Sequence, residues 1–416
     1  MGLLTASTAT GRRRRGAEAF VVMTALAAMA LAACGGSSST SSLSTAAATE
    51  AAASSAAPVA SGAETTLNML TWQGYHDQAW LDECQQKTGV TVNAVNVGSP
   101  DEMFAKLKAS PDQWDLVLAT SGWFNKYVQE NLLFPIEESK VTALSTMKLG
   151  FPWKDATTVD GKNYGVLYNW GDQALAWIPD AMPTDASLKQ YEGADGNPND
   201  WNILWDPAFK GKVSVFDDPT SVLPMIALAA GVKDPYNWSE ADYAAVKAKL
   251  NALRPQLKRL TSGYDDQTNQ FATGEAILGY LNIQSVVGGV AQAGKMMQLN
   301  HEVKQTTPAW SDNYAITQAG AEKGQAVYDF INCTMELTYQ ARFIATSLNS
   351  GILDYDQATS ADAVAAGLTE DKLKDTMIPA TQGGEAFFKS MNFFKTVEDI
   401  QKRIDLWNEF KLGLGG

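Results

Sequence analysis

Asn163-Tyr164-Gly165-Val166-Leu167-Tyr168-Asn169-Trp170-Gly171-Asp172-Gln173-Ala174-Leu175-Ala176-Trp177 is the stretch whose reading decides the fold. Two apolar, β-favouring runs flank a Gly-Asp pair. An ordinary buried strand would not centre on Asn169, Trp170, Gly171, Asp172 and Gln173. A strand that leaves one lobe, crosses a cleft and enters a second lobe would. Its polar and aromatic side chains then face a ligand, and Gly171 lets the chain pivot.

The rest of the chain is read as two lobes built around this crossing. With 416 residues it is long for one core and comfortable for two. The formal net charge is -14. Arg12, Arg13, Arg14 and Arg15 against Glu18 leave residues 1–33 at +3, so the remainder stands at -17. Such a surface argues against nucleic acid and favours cationic partners. The two histidines, His76 and His301, lie far apart, which weakens any metal or triad reading. No metal and no cofactor are expected.

Residues 12–34 have the order of an export signal: four arginines, an apolar run, then Cys34. Leu31-Ala32-Ala33-Cys34 resembles the lipobox of bacterial lipoproteins, in which the cysteine becomes the first residue and carries lipid. A transmembrane helix is the other reading, but the run is short of the ~20 residues a span needs. Residues 35–63 are rich in Ser, Thr and Ala and have almost nothing large to bury, so they read as a tether. Cys84 and Cys333 remain for an oxidising compartment, either as one bridge or as two buried thiols.

Residues 66–72 read as a first strand, and residues 77–87 as a helix ended by Gly89. Residues 90–97 form a second strand. Ser99-Pro100-Asp101-Glu102 then offers an N-cap, a proline at the first helical position and a capping-box glutamate. A third strand over residues 114–119 runs into Thr120-Ser121-Gly122-Trp123. Strands alternating with helices point to parallel sheets, whose ligands sit beyond the strands' carboxyl ends. In the second half, residues 212–216 form a strand ending in Asp217-Asp218-Pro219-Thr220-Ser221, and residues 277–282 form another. A second crossing is read at Trp310-Ser311-Asp312. Residues 396–412 form a last amphipathic helix.

These pieces resemble the type 2 periplasmic solute-binding proteins of ABC importers, in their spermidine/putrescine-binding branch. The matching stretches are Trp72-Gln73-Gly74-Tyr75, Lys87-Thr88-Gly89-Val90, Asp115-Leu116-Val117, Trp170-Gly171 and Leu204-Trp205-Asp206-Pro207-Ala208-Phe209-Lys210-Gly211. Asp217-Asp218, Gly274-Glu275 and Trp310-Ser311-Asp312 complete the set. The resemblance covers about residues 67–410. It implies an α/β fold of two lobes, each a mostly parallel sheet wound with helices, joined by two crossing strands. It implies no enzyme but a monomeric binding protein. Such a protein is exported to the periplasm or cell surface and hands a small cationic solute to a membrane permease. Its only hold on the membrane would be the lipid on Cys34.

The resemblance also assigns a ligand set. Trp72 and Tyr75 flank the amine, with Gln73 between them. Thr120 and Ser121 supply hydroxyls. Asp218 and Asp312 take ammonium groups, and Trp310 adds a ring. Trp170 and Asp172 join from the first crossing. Three positions depart from the branch: Gly74 and Ser221 stand where it has acids, and Asn282 where it has tryptophan. Asp172 stands where it has a small neutral residue. The residues themselves leave Asp218 open as helix cap or ligand contact, and Trp72 and Trp310 open as core or ligand contact. Another solute (an amino acid, a quaternary amine or a sugar) is the alternative on the same fold. A hydrolase using paired acids is the alternative outside it, though adjacent Asp217 and Asp218 would point to opposite faces of a strand.

The expected organisation is residues 1–33 as signal peptide and 34–65 as tether. Residues 66–172 with 310–351 form the first lobe. Residues 173–309 with 352–416 form the second.

Overall fold

The computed structural model describes residues 65–281, 285–395 and 397–414. The signal peptide, Cys34, nearly all of the tether and Asn282 lie outside the described residues.

In chain order the strands are β1 (Thr65–Trp72), β2 (Val90–Val97), β3 (Leu116–Thr120), β4 (Thr158–Val159), β5 (Lys162–Asn163) and β6 (Val166–Asp172). They continue as β7 (Ala174–Trp177), β8 (Val213–Phe216), β9 (Leu257–Thr261), β10 (Leu278–Leu281), β11 (Gln298–Asn300), β12 (Thr307–Ile316) and β13 (Met391–Phe393). Apart from the small β4–β5 hairpin they form two sheets. The first runs β13-β12-β3-β1-β2, with β6 also on β12; the second runs β11-β7-β10-β8-β9. Both are mixed. In the first, β1 lies parallel to β2 and β3 while β12 runs antiparallel to β3 and β6. In the second, β8 lies parallel to β9 and β10 while β7 runs antiparallel to β10 and β11.

The first crossing is short. Asp172 closes β6 in one sheet and Ala174 opens β7 in the other, so Gln173 alone spans them. The return lies earlier than read from Trp310-Ser311-Asp312. Thr307 to Ile316 is one wholly buried strand of the first sheet, so the chain returns in residues 301–306. β12 can hold Ser311 inside the sheet because it is paired on both sides: Ser311 faces Trp170, and Asp312 faces both Asn169 and Thr120.

A second correction concerns the chain after residue 352, expected in the second lobe. Ile352, Leu353, Leu368, Ile378 and Phe388 belong to the core of the first sheet. β13 pairs in parallel with the start of β12. Phe151 and Trp170 draw this segment in, packing against Phe388 at ring-centre distances of 5.8 and 5.4 Å. The final helix, Ile400–Leu412, then joins both cores. Ile400 and Ile404 pack with the first, Leu406, Trp407 and Phe410 with the second.

Local signals explain the helices that matter here. Gln78–Thr88 starts on an Asp77 cap and stops at Gly89 in the left-handed region, φ 73°. Pro100–Ala109 starts on Ser99, whose side chain accepts from Glu102 N. Glu102 itself reaches past the cap to Gly98 N at 2.8 Å, one residue beyond the expected box. Cys84 and Cys333 are bridged, with Cα atoms 5.8 Å apart, tying Gln78–Thr88 to Gln325–Thr334. Of the two states left open for these cysteines, the bridge is the one formed. Among the described residues no helix is long and apolar enough to cross a membrane.

Candidate functional site

The carboxyl ends of β1, β3 and β8 meet beside the middle of β12. A small cavity opens there between the two sheets. Trp72, Thr120, Trp310 and Asp312 line it from the first sheet, and Phe216, Asp218, Ser221 and Tyr264 from the second. Gly98 and Pro100 close one side and Phe394 another. The lining side chains include no Lys, Arg or His.

Asp312 is the best-fixed group. Thr120 Oγ1 donates to its Oδ1 and Tyr75 Oη to its Oδ2, each at 2.6 Å. Asn169 Nδ2 donates to Tyr75 Oη at 2.9 Å, and Asn169 Oδ1 accepts from Gly351 N at 3.0 Å. This relay runs from β12 through the loop after β1 and through β6 to Gly351, just after the helix Leu337–Ser347. Burial, reinforced by the charge on Asp218, pushes the Asp312 carboxyl up to about 7, against the two hydrogen bonds that lower it.

Asp218 sits at the N-cap of Pro219–Ala229. Its Oδ1 accepts from Thr220 N at 2.9 Å and Thr220 Oγ1 at 2.7 Å. It also lines the cavity, so capping and facing the cavity are compatible in this residue. Burial raises its carboxyl above the usual range, against the Thr220 hydrogen bonds. Ser221 lines the cavity beside it, with its carbonyl accepting from Tyr280 Oη at 2.7 Å. The rings form a wall. Phe216 and Tyr264 stack at 5.4 Å and 15°, and Trp72 is anchored by Nε1 donating to Leu118 O at 2.9 Å.

Not every expected residue is here. Tyr75 stands behind Asp312 and holds it. Gln73 is exposed to solvent. Ser121 serves the backbone of β12: its N–H donates to Ser311 O at 2.7 Å and its Oγ accepts from Ser311 N at 3.0 Å. Trp170 packs among Phe151, Phe387 and Phe388. Asp172 is turned to a second, smaller cavity, which shares Trp310 with the first. There His301 Nδ1 lies 2.9 and 3.0 Å from its two oxygens. The Asp172 pair raises the His301 imidazole above its ordinary value, outweighing burial, which lowers it. Gly171 is not a pivot. Its φ is ordinary. A Cβ there would lie 2.6 Å from Trp310 Cζ2, so the glycine makes room for a ring.

The sequence reading missed Phe216, Tyr264 and His301, and it placed Asn169 facing a ligand where it instead holds Tyr75. Phe216 was within reach, because strand residues two apart share a face and Asp218 is its partner. Tyr264 follows Gly263 at the start of a helix, where nothing local marks a ligand wall. His301 is brought to Asp172 from 129 residues away.

The sequence profile of the bacterial extracellular solute-binding proteins matches residues 79–382. The chain belongs to that family. It is therefore a solute-binding protein, and families of this kind work outside the cytoplasm. The spermidine/putrescine-binding periplasmic protein 1 of Haemophilus influenzae is 27% identical over 275 residues, 65% of this chain and 71% of the relative. The spermidine/putrescine-binding periplasmic protein of Escherichia coli K12 is 26% identical over 273 residues, 64% of this chain and 72% of the relative. Among solved structures, the TpPotD lipoprotein of Treponema pallidum superposes with a TM-score of 0.63 at 19% identity, covering 83% of this chain and 99% of that one. That likeness places the fold among the two-lobed type 2 binding proteins.

Proposed function

We propose that this solute-binding protein is the capture component of an ABC importer and takes a small cationic amine of the putrescine or spermidine class. One observation carries the reading. Two buried carboxylates, Asp218 from one sheet and Asp312 from the other, share an aromatic-walled cavity with no cationic side chain in its lining. Buried carboxylates without a counter-charge are costly. An ammonium group removes that cost. Each ammonium–carboxylate hydrogen bond contributes ~1.5–3 kcal/mol, and each ring against the cation ~0.5–2 kcal/mol. Two of each give roughly 4–10 kcal/mol before ordering costs, against about 8 kcal/mol for micromolar binding. The names of the Haemophilus and Escherichia relatives point to the same class.

Because Asp218 and Asp312 lie on different sheets, a ligand that bridges them draws the sheets together. That coupling suits delivery of solute to a permease that reads the closed form. The protein acts as a monomer and carries out no reaction. Asp217, the acid next to Asp218, is turned away, accepting from Trp407 Nε1 at 2.7 Å and facing Lys411 Nζ at 3.1 Å. The lipobox around Cys34 anchors the exported chain to a membrane.

Calorimetric titration of the purified protein with putrescine, spermidine and a neutral sugar tests this. Micromolar binding of an amine, and none of the sugar, is expected. Tight sugar binding with no amine binding overturns the assignment. For the anchor, Cys34→Ser is expected to leave the membrane fraction. A variant that stays there as the native protein does refutes the lipobox.

A further inference from the structure

The two cavities are divided by one ring. Trp310 lines both, and it packs against Gly171, where a Cβ would meet Cζ2 at 2.6 Å. On the ligand side of the ring are Asp218 and Asp312. On the far side is a third buried carboxylate, Asp172, and its charge is already taken by His301 at 2.9 and 3.0 Å. The rest of the second cavity is hostile to a cation. Leu281, Leu299, Leu348 and Met377 supply apolar surface. Apart from Asp172, its lining holds no carboxylate.

We infer that the site admits an amine with no more than two charged nitrogens, and that the His301–Asp172 pair behind Trp310 excludes a third. This rests on the amine reading of the first cavity and narrows it. A diamine places its ammonium groups against Asp218 and Asp312. A triamine of the spermidine kind brings a third ammonium, for which the lining of the first cavity holds no third carboxylate. Beyond the Trp310 ring it meets Asp172 already paired with His301, and no free carboxylate. His301 is thus a specificity-determining residue that acts through Asp172 by consuming its charge.

The experiment is competitive calorimetry of the full exported chain with putrescine and spermidine, at one pH near 7.5 and fixed salt. The native protein is expected to bind putrescine at least about tenfold more tightly than spermidine, a gap of roughly 1.4 kcal/mol. His301→Ala uncovers Asp172 as a third carboxylate, so the putrescine-to-spermidine ratio should fall by about tenfold. Asp172→Asn removes the pair without adding a charge, and the native ratio should persist. Spermidine binding as tight as putrescine binding in the native protein overturns the inference, and this arm needs no variant to fold. A ratio unmoved by His301→Ala, or moved as far by Asp172→Asn, also overturns it. Failure of both amines, with a neutral solute bound, instead sinks the amine reading itself.

Discussion

Tyr75 and Asp312 are joined by a hydrogen bond of 2.6 Å between Oη and Oδ2, although 237 residues separate them. Thr120 occupies the other oxygen at the same distance. Both partners are neutral, so the carboxylate is oriented without being neutralised. Asn169 locks Tyr75 from behind, and Gly351 N locks Asn169. Protein groups alone therefore fix this carboxylate, which is the kind of ordering by which a group gains affinity for a partner.

Asp312→Asn keeps the shape and removes the charge. Amine affinity is expected to fall by up to about a hundredfold, since one charge-assisted contact of ~1.5–3 kcal/mol depends on it. Tyr75→Phe should cost less, about tenfold, because it frees the carboxylate to rotate but leaves it charged. Titration calorimetry ranks the two. A Tyr75→Phe loss larger than that of Asp312→Asn contradicts the charge-first account.

The pH dependence follows from the raised Asp312 carboxyl. Folding lifts it to about 7, against ~3.9 in an unfolded chain. Between those values the folded protein keeps a proton that the unfolded chain releases. Unliganded stability should therefore fall as pH rises from about 4 to about 7, then level off. A cationic ligand favours the ionised form, so its binding strengthens over the same range and releases a proton. Melting temperatures with and without putrescine at pH 5.5 and 8 measure both effects. An equal ligand-induced shift at the two pH values rejects this coupling.

Gly171→Ala places a methyl group 2.6 Å from Trp310 Cζ2. The neighbour is a buried indole ring, so the ring or the strand must shift to admit the methyl. A loss of ~1–3 kcal/mol in stability is expected, as for other overpacked sites. Amine affinity should fall with it, because Trp310 lines the ligand cavity. Chemical denaturation and titration read the two effects, and an unaffected variant means the ring has another place to go.

Cys84→Ser opens a bridge across a sequence separation of 249 residues. Removing such a cross-link typically costs ~2–5 kcal/mol. Both tethered helices lie outside the cavity lining, so amine affinity at low temperature should change little. Calorimetric melting of the variant, and of the native protein under reductant, should agree. Matching melting temperatures for native and variant proteins would show that the bridge adds nothing.

The crossing at Trp170-Gly171-Asp172-Gln173 was legible because a polar, glycine-broken centre is costly inside an ordinary strand. The motif Trp310-Ser311-Asp312 was legible as special but not as to place. Its position inside β12 depends on pairing with β3 and β6, each more than 130 residues away. Gly171 invited a backbone explanation, whereas its cause is the Trp310 ring. Asp172 looked like a ligand carboxylate because the histidine that occupies it is invisible locally.

The order of strands and helices, the cap at Ser99 and the three candidate carboxylates Asp172, Asp218 and Asp312 were legible in the sequence alone. Those features depend on alternation, capping chemistry and neighbours within a few residues. Which carboxylates face the cavity, which one is paired, and which sheet receives residues 352–394 were decided only in three dimensions. A charge is spent or left open by whatever side chain packs against it. In this chain the deciding partners, Tyr75 for Asp312, His301 for Asp172 and Phe388 for Trp170, come from far along the sequence.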